Sequence, residues 1–281
     1  MRDLISVIIT TYNRPDALDA VLRSLARQTD RYFEVLVADD GSGPETVAVV
    51  DSWRGRVGRQ LIHVWHSHQG FRVAEIRNRG IVAASAPYCV FLDGDCLVRS
   101  DFLACHRRFA EPGWFVTGNR ILMSRDLSEK ILREHLAAER WTVLDWIGQR
   151  LSGRVNRLMP LIGLPLGPLR LLLAHNWFGA RSCNLGVWRS DLLAVNGFDN
   201  GFNGWGFEDS DLFVRLLHAG MRRKDGRMAT GVLHLWHPEA DRSRLQENRR
   251  RLYEVLAGDR VLARHGLSML GDESSAPTAA R

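Results

Sequence analysis

The chain has few of the residues that staple or anchor a protein. Among its 281 residues are four cysteines, Cys89, Cys96, Cys105 and Cys183, and no two of them form a C-x-x-C pair. Scattered thiols of this kind fit a reduced, cytosolic chain better than a disulfide framework. No apolar run reaches the roughly 18 residues that a membrane span requires, so no segment reads as one. The first apolar stretch, Leu4 to Thr11, is too short for a signal peptide and reads as a strand. Two phosphate-cradling signatures are also missing. No G-x-G-x-x-G follows the first strand, and no G-x-x-x-x-G-K-[ST] occurs anywhere. A nucleotide held here would lack a glycine cradle, and its phosphates need another counter-charge, which a metal ion on carboxylates would supply. No internal repeat is visible.

The composition is globular, with 45% hydrophobic and 25% charged residues. A chain of this length can bury a large core. The net charge of +6 favours anionic partners without choosing among nucleotide phosphates, acidic lipid and nucleic acid. The first hundred residues alternate between two periods. "LISVIIT", "FEVLVADD", "LIHVWH" and "YCVFLD" read as buried strands, and "PDALDAVLRSLARQ", "GPETVAVVDSW" and "RVAEIRNRGIVAAS" as the helices between them. That alternation predicts an α/β fold with a mostly parallel central sheet flanked by helices. Ligands of such sheets sit beyond the carboxyl ends of the strands. Those ends carry Thr10-Thr11-Tyr12-Asn13, Asp39-Asp40-Gly41-Ser42, His66-Ser67-His68-Gln69 and Asp93-Gly94-Asp95, all expected to line one crevice.

Asp93 and Asp95 share a face in an extended strand and repel unless a cation sits near them. Hard divalent ions prefer such oxygens, and Mn(II) also accepts imidazole, which His234 and His237 offer late in the chain. The bland alternative is a polar strand end making turn hydrogen bonds. A helix is expected to begin near Glu208, where Glu208 and Asp209 would serve as first-turn acids if they had no further role. Trp205 lies between glycines and offers a flat face for a sugar ring, or else a place in the core. His66 and His68 read as a polar loop, and the Arg222-Arg223-Lys224 cluster as a solvated face. From 121 to 175 the pattern turns helical, apolar and basic, with five arginines and no acid between Trp146 and Arg181. This insert reads either as contact with an anionic membrane surface or as a buried lid or subunit contact. A charged helix is expected over 241–264, followed by a disordered tail at 271–281.

Four segments in order, "SVIITTYNRPDALDAVLRSLARQ", "FEVLVADDGS", "RNRGIVAASAPYCVFLDGD" and "GFDNGFNGWGFEDSDLFVRLLHAG", resemble glycosyltransferase family 2 of the GT-A fold. The "GWGFED" region is similar to the carboxyl-terminal part of galactosyl- and N-acetylgalactosaminyltransferases. The resemblance covers about 5–118 and 176–237 and leaves out the insert and the tail. It implies one catalytic domain over 1–270: a nucleotide-binding half at 1–118, the insert, an acceptor half at 176–240 and the terminal helix. It further implies a metal-dependent, inverting transfer from a UDP-sugar to a glycan or lipid-linked saccharide in envelope polysaccharide or lipopolysaccharide synthesis. The ion would be Mn(II) or Mg(II). The enzyme would be cytoplasmic or peripheral on the inner membrane face, and no nucleic acid is expected.

Residue by residue, the resemblance makes Thr10, Tyr12, Asp40 and Arg77 nucleotide contacts and places Asn184 and Trp205 at the donor sugar. Asp93 would reach the ribose or a metal-bound water, and Asp95 the metal itself. His234 or His237 would be a further ligand, Asp209 the base, and Glu208 a positioning group. Two other readings remain. A haloacid-dehalogenase-type phosphatase also carries D-x-D after an apolar strand, but that strand normally opens the domain, and Leu97 stands where a Thr or Ser is usual. A non-catalytic basic module fits the charge but shows no nucleic-acid-binding motif.

Overall fold

The computed structural model of the chain describes residues 3–270, so the expected tail at 271–281 lies outside the described residues. Strand β1 (Ile5–Thr11) leads through α1 (Pro15–Leu25), β2 (Phe33–Asp39), α2 (Pro44–Trp53), β3 (Leu61–Trp65) and α3 (Val73–Ala83) to β4 (Tyr88–Asp93). Prolines open α1 and α2, where a missing N–H breaks no bond. Next come β5 (Cys96–Val98), α4 (Phe102–Phe109), β6 (Trp114–Thr117), β7 (Arg120–Leu122), α5 (Arg125–Arg133) and α6 (Val143–Leu151). The chain continues with β8 (Asn184–Trp188), α7 (Arg189–Ala194), α8 (Glu208–His218), β9 (Arg222–Asp225), β10 (Val232–His234) and α9 (Leu245–Leu256).

Seven strands form the main sheet in the order β3-β2-β1-β4-β8-β6-β9. The first four run parallel, as the alternating pattern predicts. Strand β8 then runs against both β4 and β6, and β9 rejoins β6 in parallel. One face buries Val7, Val35 and Val90 beneath Leu18, Leu22 and Trp53, and the other buries Ile8, Leu36 and Phe91 beneath Ile76 and Phe213. The register aligns Thr11 with Asp39 and Thr10 with Asp93, so the polar strand ends open at one level.

A second sheet of three short strands, β5-β10-β7, sits beside that opening. It pairs His234 with Cys96, and the Leu235 amide donates to the Asp95 carbonyl at 2.9 Å. This staple carries the late histidine to the early aspartates.

The insert is less regular than its pattern suggests. It opens on β7, and Ser124 caps α5 by accepting from the Leu127 amide. Thr142 and Asp145 cap α6 reciprocally. The proline-broken stretch after α6 folds into 3-10 turns at Met159–Leu161 and Gly167–Leu171. Trp146 and Leu161 reach the core, whereas Leu144, Leu151 and Leu172 face outward. The terminal helix is also shorter than expected, because it starts only at Leu245 and ends at Leu256.

Candidate active site

A cleft of about 630 Å³ opens where β1, β2 and β4 end. Thr10, Tyr12, Asp40, Asp93 and Asp95 line one wall, and Trp205, Glu208, Asp209 and His237 line the other. Residues separated by more than a hundred positions therefore meet across one space. Gly94 is required for a reason the sequence does not disclose. Its amide donates to the Thr10 carbonyl at 2.7 Å, and a Cβ there would lie 2.9 Å from that same oxygen. The close approach it permits is to β1, at the lining of the cleft.

Arg77, near the middle of α3, joins the two walls. It is buried, with Nη2 donating to Asp93 at 3.2 Å and Nη1 to Glu208 Oε1 at 3.2 Å. Its Nε also donates to the Thr10 hydroxyl at 3.3 Å. Burial works against the guanidinium charge, but Asp93, Glu208 and Asp209 together raise its pKa. Arg77 is thus a clamp on carboxylates of both halves.

Glu208 and Asp209 open α8 after a left-handed turn in which Gly206 has φ +109° and Phe207 φ +72°. A phenylalanine in that region carries strain of about 1 kcal/mol or more, and the turn swings both acids into the cleft. Burial first, and then the Asp209 carboxylate, push Glu208 up to about 7 against the pull of Arg77. Its Oε2 is buried and has no hydrogen-bond partner. Asp209 Oδ1 accepts from the Ser210 amide at 2.7 Å, and Oδ2 accepts only a long 3.4 Å contact from the Ser182 amide.

Asp95 stands between two imidazoles. His234 Nε2 lies 3.6 Å from Oδ1 and His237 Nε2 lies 3.4 Å from Oδ2. Burial holds His234 below its ordinary pKa, while Asp95 pulls the other way. A neutral imidazole is the form that can donate a lone pair to an ion. One carboxylate with an imidazole at each oxygen, and a second carboxylate on the same strand end, is a donor set that suits Mn(II).

Asp40 is more heavily engaged than expected. Its Oδ1 sits 2.6 Å from His66 Nε2, and Oδ2 accepts from the Arg72 amide at 3.0 Å. His66 also faces Glu75 at 3.3 Å. It is therefore a buried support for Asp40 and not the polar loop residue the sequence suggested. Its strand-end position was the one available signal. Tyr12 is 42% exposed and stacks on His68 with ring centroids 4.4 Å apart, which leaves a flat aromatic lip at the mouth. Trp205 borders the cleft, but the Arg242 guanidinium lies over its ring at 5.0 Å.

Asn184 does not reach the cleft. It is fully buried at the start of β8, where its amide nitrogen donates to the Asn119 and Thr230 carbonyls and its oxygen pairs with His106 Nε2 at 3.1 Å. With its polar atoms spent inside the fold, it is a lock between strands and not a donor contact. Sequence reasoning also passed over Arg14, Arg120 and Arg181, which place positive charge around the cleft.

A family model described as glycosyl transferase family 2 matches residues 6–159, and one described as the N-terminal domain of galactosyltransferase matches 174–238. The first match runs on into the insert, which the motif resemblance left out. A validoxylamine A glucosyltransferase of Streptomyces hygroscopicus subsp. jinggangensis (strain 5008) is 34% identical over 238 residues, which cover 82% of this chain and 55% of that protein. A chondroitin synthase of Pasteurella multocida (strain Pm70) is 28% identical over 251 residues, 80% of this chain and 24% of the relative. The chain thus spans about half the length of the glucosyltransferase. Residues 1–349 of S. aureus TarS superpose with a TM-score of 0.62 at 17% identity, covering 94% of this chain and 67% of that one. A second TarS structure, in complex with UDP, gives a TM-score of 0.59.

Proposed function

The chain belongs to glycosyl transferase family 2 and is a glycosyltransferase of the GT-A fold, and from that premise we propose that it is an inverting, metal-dependent enzyme using a UDP-sugar. It moves a hexose or N-acetylhexosamine to a hydroxyl of a glycan or lipid-linked saccharide. The observation that carries this reading is the Arg77 clamp, which brings the D-x-D aspartate Asp93 and the α8 acid Glu208 to one guanidinium.

In this mechanism the nucleoside lies between Thr10, Tyr12 and Asp40. Each Asp40 oxygen keeps a lone pair beyond its present partner, so the carboxylate can still accept from a uracil imide N–H. Asp93, Asp95 and the histidines His234 and His237 are the residues that would hold Mn(II) or Mg(II). When bound, such an ion supplies Lewis-acid neutralisation of the charge that grows on the leaving diphosphate. Arg120 and Arg181 line the same cleft and add positive charge. Asp209 removes the acceptor hydroxyl proton as that oxygen attacks the anomeric carbon. A general base so placed contributes about 10²–10⁴-fold. Glu208, buried and raised, shares its proton with a sugar hydroxyl and positions it. One displacement from the face opposite the leaving group inverts the centre, and no covalent intermediate forms.

The phosphatase alternative needs its first aspartate free as a nucleophile, whereas Asp93 is pinned by Arg77. The outward leucines of the insert, with Arg150, Arg154 and Arg157 nearby in sequence, support peripheral contact with an anionic inner membrane face and an envelope polysaccharide role. Among the described residues, no helix is long and apolar enough to cross a membrane.

A panel of nucleotide sugars, assayed for nucleoside diphosphate release with and without manganese, tests the reading. Asp209→Asn is expected to abolish transfer and keep UDP binding. Full turnover in that variant removes Asp209 as the base.

A further inference from the structure

Two cysteines meet beneath the cleft floor. Cys96 is fully buried at the start of β5, and Cys183 is nearly so just before β8, where it borders the cleft. Their sulfurs and an Asp93 carboxylate oxygen all lie within 4.8 Å of one another. The Cys96 sulfur also lies within that limit of Asp95 and His234, and its thiol donates to Asp95 Oδ1 at 3.6 Å. The transfer mechanism uses neither thiol. We infer that Cys96, Cys183 and Asp93 form a thiophilic cation site, able to take a soft or borderline divalent ion such as Zn(II) or Cd(II).

The spacing fits that chemistry. Tetrahedral zinc with thiolates about 2.3 Å away holds its sulfurs about 3.8 Å apart, so the cluster needs to contract by about an ångström at most. Sulfur is a soft donor that a hard ion passes over for oxygens and imidazoles, so the two ion classes select different donors from one neighbourhood. Each sulfur–metal bond forms as a thiol releases its proton to solvent, and one bound ion therefore expels two protons. Two thiolates and Asp93 then carry three negative charges against the ion's two positive ones. Arg77, which donates to Asp93 at 3.2 Å, and Arg120, which lines the same cleft, supply positive charge beside them. Cys183 and Asp93 both border the cleft, which gives the ion its entry path.

The test titrates Cd(II) into the reduced, chelator-stripped full chain while thiolate-to-cadmium charge-transfer absorption is followed in the ultraviolet. One equivalent is expected to saturate the band and release two protons. Cys96→Ser and Cys183→Ser should each weaken Cd(II) binding at least tenfold and diminish the band, with Cys105→Ser unchanged. Cys96 is tightly packed, so Cys183→Ala at the cleft edge provides the second variant, its fold checked by an unaltered thermal melt. Stoichiometric Cd(II) binding without the band, or a band that persists in Cys183→Ala, overturns the site. No sugar nucleotide enters the titration, so this inference and the transferase reading fail separately.

Discussion

Replacing Glu208 with glutamine provides a direct test of how the cleft treats charge. Burial and the Asp209 carboxylate push Glu208 from an ordinary value of 4.5 up to about 7. An acid whose pKa rises on folding contributes stability that is fully present below the unfolded value and is lost as pH climbs through the folded one. The relevant window therefore runs from about pH 4.5 to pH 7, and a rise of that size corresponds to roughly 3 kcal/mol. The glutamine variant has no proton to lose there. Urea unfolding at pH 5 and pH 8 should show the parent chain losing about 2.5 kcal/mol relative to Glu208→Gln across that interval. Stability curves that stay parallel with pH would show that Arg77 holds Glu208 ionised throughout, and the case for a shared proton at the sugar would fall with them.

Other expectations follow from the same contacts. Arg77→Met leaves Glu208 and Asp93 without their common partner and should lower stability by about 3–5 kcal/mol, with weakened UDP binding by calorimetry; a loss below about 1 kcal/mol would deny the clamp its role. Asn184→Ala strips partners from two carbonyls and from His106, so it should cost about 2–4 kcal/mol in chemical denaturation and leave UDP affinity unchanged. A drop in UDP affinity would restore Asn184 as a donor contact. Chelation should halt nucleoside diphosphate release and Mn(II) should restore it, whereas a chelator-resistant turnover removes the ion from the reaction.

What the sequence discloses depends on how each element is buried. Strands β1, β2 and β4 are enclosed on both faces, so they read as near-continuous apolar runs, and the helices between them keep a clear period. Strand β9 is the opposite case. Its four residues, Arg222–Asp225, look like a solvated charge cluster, yet Arg223 is 4% exposed and donates to the Thr117 hydroxyl and to the Asn176 and Phe178 carbonyls. No hydrophobic pattern marks a strand whose partners are backbone oxygens. Asp93, Asp95, Asp209 and the two histidines were visible as residue types at strand and helix ends. Their mutual distances, the Arg77 bridge and the His66 support were not visible, because each depends on pairings between residues distant in sequence. Asn184 misled for the same reason, since a buried asparagine and a ligand-facing one look alike in a loop-like stretch.

The pairing of β5 with β10 has a consequence for how such a protein can diversify. Asp95 and His234 are fastened by adjacent backbone bonds, and the long excursion between them starts and returns at that small sheet. Loops along the excursion can lengthen, shorten or exchange without moving the two side chains apart. New acceptor preferences can therefore arise in that intervening stretch while the Asp95–His234 corner keeps its geometry.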